Sequence, residues 1–262
     1  RRARAEERVN ALLIAHNTFR EATRDRVVAG VVVAGLALLG VTLVASPLAL
    51  GEGRRLLVDL GLSGISVLGL LVVLLTGTSL VAKEVERRTI YNLLSRPIRR
   101  PAYLVGKWAG LSAALWTVAG SLGLALWGLV VLAGRGGSGA AVLQGVYLAG
   151  LELSVVTALA VMFSALSTPV LSALYTLGFF VAGQWSYDLR IFAGKLPPEL
   201  GAVLNAVAHL VPNLPLFNMR TLAAAGETTT VLHLGLATAY AAVYVGAALA
   251  LAAAAFESRD FK

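Results

Sequence analysis

Residues 83–107 read KEVERRTIYNLLSRPIRRPAYLVGK. This is the one long, strongly charged insert in the chain. It separates two apolar runs, 60–82 and 108–133, that are each long enough to cross a bilayer. Working outward, further apolar runs lie at 27–48, 142–166, 169–187 and 231–256, against a requirement of about 20 residues for a crossing helix. The fifth run is the least distinct. The break before it, Ser167-Thr168-Pro169, is so short that the fourth and fifth runs must form a tight antiparallel pair. GEGRR at 51–55 and GRGGSG at 134–139 are turn-like breaks. The fold class is therefore all-α, a polytopic membrane protein with six transmembrane helices.

Composition agrees with this reading. Of 262 residues, 58% are hydrophobic and 14% charged, with a mean hydropathy of +0.79. Soluble domains carry about 25% charged residues. Cysteine is absent, which excludes a disulfide framework and a thiolate metal site. The Arg-rich start lacks the short apolar run and small-residue cleavage site of a signal peptide. The net charge of +8 reports topology rather than nucleic-acid binding.

The charge distribution sets the orientation. With six spans, the N-terminal segment, 83–107 and the C-terminus lie on one side and carry seven, seven and two basic residues; the other side carries six. The positive-inside rule puts the first set, with both termini, in the cytoplasm and 188–230 on the opposite, periplasmic side. Residues 1–26 form an expected amphipathic helix in the headgroup region, with Val9, Leu12, Leu13, His16 and Phe19 on one side; 27–262 is the six-span domain. In 188–230, Leu200, Val203, Leu204, Val207 and Leu210 predict a helix from near Pro198 to before Pro212. Its apolar face, outside the spans, implies a re-entrant or interfacial position against protein. Small-xxx-small pairs, Gly106 with Gly110 and Ala119 with Gly123, are helix-contact patterns that a Gly- and Ala-rich chain also yields by chance.

Within 83–107, Glu84, Glu86, Arg87 and Arg88 lead into Thr89, and Ile90, Leu93 and Leu94 make a short apolar stripe. Pro97 and Pro101 stop the helix, and Arg96, Arg99 and Arg100 cluster at its end, where the helix dipole favours cations. A short helix with an apolar stripe and a charged rim suits a partner's groove. The same features suit an interfacial helix anchored to anionic lipid.

Taken in order, Glu84-x-Glu86-x-x-Thr89, Leu93-Leu94-Ser95-Arg96-Pro97, Arg100 and Gly106-Lys107 resemble the signature of bacterial ABC-2 type permeases. They are most similar to the branch named for multicopper-enzyme maturation, which includes the permease of the copper-maturation system for nitrous oxide reductase. The basic segment before the first span, Ser164–Pro169, Pro212-Asn213-Leu214 and Phe217-Asn218 extend the likeness over most of the chain. Arg88 departs from it, standing where many relatives have Gly. The resemblance implies a permease half, paired with a second copy and seating two cytoplasmic ATPase subunits. Residues 84–96 would be the coupling helix, docking the ATPase through Glu84, Glu86, Arg87, Arg88, Thr89, Leu93, Leu94 and Arg96. In the alternative in which the bundle transmits force and moves no solute, a periplasmic accessory protein docked on 188–230 would be a further partner. ATP and Mg would reside on the ATPase, because no G-x-x-x-x-G-K-[ST] occurs here. The expected location is the bacterial inner membrane, among its lipids, with no nucleic-acid partner and no catalytic residue in this chain.

Glu152 is the second site of interest, an acid well inside the fourth run. An ionised carboxylate at mid-membrane costs about 2.5–3.5 kcal/mol on insertion scales. It must face protein or water: as a pathway residue, a proton-linked switch, a dimer contact, or a neutral group bonded to a neighbouring helix, for instance to Gln184. Asp188 and Arg190, beside Trp185 and Tyr187, are outer-gate candidates or interface anchors. His16, His209 and His233 are scattered and Met162 and Met219 isolated, so no metal site is expected. A secondary transporter or channel would need more intramembrane polar groups and often an inverted repeat. An intramembrane hydrolase would need a Ser–His or paired-carboxylate constellation. A non-transporting scaffold would tolerate loss of the apolar stripe at 90–94.

Overall fold

The computed structural model describes residues 2–49, 52–79, 100–132 and 139–257; within them the regular structure is helical throughout. Helix α1 covers Arg2–Arg24 and α2 Arg26–Ala45. Asp25 breaks them apart. Its backbone is extended, and its carboxylate accepts the Val27 N–H at 2.9 Å, an N-cap that starts α2 in a new direction. A 3₁₀ turn, Ser46–Ala49, ends α2 at Pro47. Helix α3 is Gly53–Leu75, so Arg54 and Arg55 belong to its first turn rather than to the loop that GEGRR predicts.

After the undescribed residues 80–99 comes α4, Arg100–Leu132. Pro101 lies in its first turn, where no intrahelical N–H is needed. The expected cytoplasmic loop 83–107 is therefore shorter than the sequence implies. Residues 100–107 are the first two turns of a 33-residue helix, and Leu104 and Lys107 are buried. Helix α5, Gly139–Leu166, is followed by α6, Pro169–Gln184, then α7, Ser186–Ala193, and α8, Pro198–Leu210. A 3₁₀ turn, Leu214–Phe217, leads to α9, Arg220–Ala225, and the last described helix is α10, Val231–Glu257.

Among the described residues, five helical segments are long and apolar enough to cross a membrane: Arg26–Ala49, Gly53–Leu75, Pro101–Leu132, Gly139–Leu166 and Val231–Ala255. The fifth expected span differs. The run at 169–187 is a 16-residue helix, α6, which is shorter than a bilayer crossing. A bent pair, Pro198–Leu210 with Leu214–Ala225 at 42°, brings the count to six if taken as one span. In either count the protein is a multi-pass, all-helical membrane protein.

Helix α5 is the hub of the bundle, touching α3, α4, α6, α9 and α10, with most of its residues buried. Hydrocarbon solvates apolar side chains as well as protein does, so close packing and hydrogen bonds hold such helices together. The α1–α4 contact shows close packing directly. A Cβ on Gly106 would stand 2.8 Å from the Ile14 Cβ, and one on Gly110 would overlap the Ala15 carbonyl and reach 2.6 Å from the Thr18 Cβ. The Gly106/Gly110 pair is thus the seat of α1. The buried face of α1 carries Thr18 and Ala22, while Leu12 and Leu13 are 69% and 58% exposed. Leu12 and Leu13 of the expected apolar face therefore point away from the protein, while Phe19 of that face and Ile14 pack against the bundle.

Candidate functional site

Glu152 lies at the midpoint of α5 and is 4% exposed. Two neighbouring helices hold its carboxyl. The Ser66 hydroxyl of α3 donates to Oε2 at 2.9 Å, and the Gln184 amide at the end of α6 donates to Oε1 at 2.5 Å. Arg220, the first residue of α9, adds an attractive charge. One carboxyl thus ties α3, α5 and α6 together, and each of its two oxygens has a donor.

Residues 152 and 166 are separated by about 21 Å of helix, and 169 and 184 by about 22 Å. The antiparallel α5–α6 pair therefore brings the end of α6 level with the middle of α5. The chain breaks there at Trp185, and the segment after α8 comes down to meet it. A Cβ on Gly183 would stand 2.9 Å from the Pro212 carbonyl and 3.0 Å from Leu214. Leu214 and Phe217 are fully packed, Asn213 N–H donates to the Tyr240 hydroxyl at 2.8 Å, and the Ser186 hydroxyl donates to the Asn213 amide oxygen at 3.2 Å. The Pro212-Asn213-Leu214 and Phe217-Asn218 motif is a strap over the end of α6.

At the far end of α9, Gly226 takes φ +86 and closes the helix. The Arg54 guanidinium sits where a Cβ at 226 would be, 2.7 Å from Nη1, and donates to the Ala224 carbonyl at 2.9 Å. A cation on a helix C-terminus is a favourable cap. Its Nε and Nη2 are buried without a hydrogen-bond partner among the described residues.

The opposite end of the α5–α6 pair is a hydroxyl knot. Ser167 and Ser172 both donate to the Phe163 carbonyl, at 3.0 and 2.8 Å, and lie 2.9 Å from each other. The Ser164 hydroxyl donates to the Thr78 carbonyl at 2.8 Å. On the opposite flank of α5, the Trp108 and Trp116 indoles donate to the Ser154 carbonyl and hydroxyl, each at 3.0 Å, and Tyr147 meets Thr238 at 2.7 Å. These indoles line an apolar groove of about 500 Å³ between α4, α5 and α10.

The other sequence-predicted positions fall as follows. Glu84, Glu86, Arg87, Arg88, Thr89, Leu93, Leu94 and Arg96 lie outside the described residues. Asp188 and Arg190 both sit on α7, two residues apart and so on different sides of it. The structure does not bring them together: Arg190 donates to the Ala208 carbonyl at 3.4 Å. Among the described residues no three His, Asp or Glu side chains converge as metal ligands would. Sequence reasoning did not single out Ser66, Arg220 or Arg54. A serine in an apolar run has no distinctive spacing, and both arginines read as loop charges.

The Glu152 carboxyl thus joins side chains of α3 and α6 across α5. A comparison with individual curated proteins returned no match. The model of a family described as ABC-2 family transporter protein matches residues 13–261. That match runs from within α1 to beyond α10 and takes in the whole bundle, so the chain belongs to the ABC-2 family of transporter proteins.

Proposed function

We propose that the chain is the permease subunit of an ABC-2 type exporter-like complex, coupling ATP hydrolysis by a separate ATPase to movement of its helices. The observation that carries this is the family match over 13–261, joined to a sequence with no nucleotide-binding loop of its own. In this reading two copies pair and seat two ATPase subunits, on which ATP and Mg reside, and Glu84–Arg96 is the coupling helix. The complex lies in the bacterial inner membrane with both termini cytoplasmic, and its branch is that of copper-enzyme maturation. Helix α1 is the elbow, a role supported by its exposed Leu12 and Leu13 and its seat on α4. Helices α8 and α9 are a re-entrant pair in the outer half, supported by the contact of Pro212 and Leu214 with Gly183, level with the middle of α5.

A second reading, force transmission to a periplasmic protein, is favoured by the apolar faces of α7 and α8. Phe192, Leu200, Val203 and Leu210 are all more than half exposed there.

The test is purification in mild detergent from the native host, with mass spectrometry of associated chains and an ATP hydrolysis assay. A stoichiometric P-loop ATPase is expected, lost from the Leu93→Asp/Leu94→Asp double variant while membrane insertion stays normal. Full ATPase recovery with that variant would refute the docking role of 84–96. A lone protein under several mild conditions would refute the permease reading.

A further inference from the structure

We propose that α6 is a hinged gate and that Glu152 is its catch. Helix α6 is held by one narrow stripe, Ser172, Thr176, Phe180 and Gly183; Val170, Leu174, Tyr175 and Val181 on its other sides are 71%, 59%, 49% and 40% exposed. Apolar burial gains little for a helix already in hydrocarbon, so its few polar contacts decide where it sits. They lie at its two ends. The start is pinned by the knot of Ser167 and Ser172 on the Phe163 carbonyl. The end is held by the bond from Gln184 to Glu152. Between them the Thr176 hydroxyl is spent on its own helix, at the Ser172 carbonyl.

The start is also built to pivot. Thr168 is extended (φ −69, ψ 159) and Pro169 opens the helix, so two adjoining residues join α5 to α6 without a continuous helical ladder. The end is built to release. Gln184 is the last residue of α6, the chain breaks at Trp185, and the next contact is the Leu214 strap over Gly183. Ser66 fixes the second carboxyl oxygen, so a shift of α3 moves the catch. Helix α3 also caps α9, the helix that follows the strap, through Arg54 on the Ala224 carbonyl. Its other end leads along the chain toward residues 83–107, so a displacement arriving there would reach the catch and the end of α9 together. Release swings the 184 end of α6 away from α5 and opens the bundle at mid-depth beside Glu152. The use of that opening for transport rests on the permease reading; the latch does not.

The test uses the full chain in nanodiscs without any ATPase, spin-labelled in pairs on its cysteine-free background. Labels at exposed Val181 and Leu60 report the latched end of α6 against α3; labels at exposed Val170 and Leu75 report the pivot end. The wild type is expected to give one dominant distance for each pair. Gln184→Leu, at a partly exposed helix end, keeps the pivot distance and populates a second Val181–Leu60 distance. Its population should exceed the wild-type level by about threefold to twentyfold, the range for a single interhelical hydrogen bond. Glu152→Gln, whose amide oxygen still accepts from Gln184 while its amide N–H donates to the Ser66 hydroxyl, is expected to keep the single distance. An unchanged Val181–Leu60 distribution in Gln184→Leu overturns the latch, as does equal broadening of both pairs, which marks general loosening. With the copurified ATPase and ATP added, wild-type opening at Val181–Leu60 supports coupling. No opening under turnover, with the Gln184→Leu result intact, counts against the permease reading and leaves the latch standing.

Discussion

Replacing Gly110 by alanine should undock α1 from α4. The added Cβ would overlap the Ala15 carbonyl and stand 2.6 Å from the Thr18 Cβ and 3.0 Å from the Phe19 nitrogen, where ordinary contact is 3.4–4 Å. Two of these three neighbours are backbone atoms of a continuous helix, so no rotamer change relieves them. The whole of α1 must retreat by the better part of an ångström and lose the contact at Gly106 too, where the Ala11 carbonyl would stand 2.9 Å from a Cβ. Overpacking of this kind costs about 1–3 kcal/mol. A cost near 2 kcal/mol raises the undocked fraction about 30-fold, at 1.4 kcal/mol per factor of ten. The assay is maleimide labelling of an Ala22→Cys variant, at a position 1% exposed on the docked face, in a chain with no other cysteine. The labelling rate should rise by about that factor in the Gly110→Ala background, as expected for exposure through local opening. Gly120→Ala is the control: nothing lies within 4 Å of its Cβ, and alanine gains about 1 kcal/mol of helix propensity. Equal labelling at position 22 with and without the Gly110→Ala change would refute the close-approach argument.

Gly226→Ala should lower the thermal midpoint in detergent. It places a side chain at φ +86, a strain of about 1–3 kcal/mol, and pushes on the Arg54 guanidinium 2.7 Å away. An unshifted midpoint would mean that Arg54 does not cap α9. Ser172→Ala removes a donor from the Phe163 carbonyl at a position of zero exposure and should cost about 1 kcal/mol, read as the loss of midpoint relative to Thr176→Val. Thr176→Val deletes only a bond within its own helix, so equal losses from the two variants would argue against the hydroxyl knot as the attachment of α6.

The apolar runs, the break at Ser167–Pro169 and the helix from Pro198 were legible because each rests on local chemistry. A run of hydrocarbon side chains, a proline at a helix start and a periodic stripe report themselves within a few residues. Glu152 was legible because a lone acid in an apolar run is costly wherever it ends up. The Gly106/Gly110 pair could be read but not ranked. Its meaning depends on which helix approaches it, and that helix, α1, is nearly a hundred residues away in sequence. Which side of α1 meets protein is likewise decided by α4, whose two glycines let its backbone approach the side carrying Ile14, Ala15 and Thr18.

Residue order alone is enough to establish an all-helical membrane protein with a charged insert, an isolated carboxyl at mid-span and no nucleotide loop, since these depend on composition and spacing along one chain. It took the packed bundle to show that α6 stops level with the middle of α5, that Ser66 and Gln184 share Glu152, and that Arg54 caps α9 from 170 residues away. In hydrocarbon the polar groups must find one another to be tolerated at all, and which ones do so is settled by the packing of whole helices, not by the residues beside them.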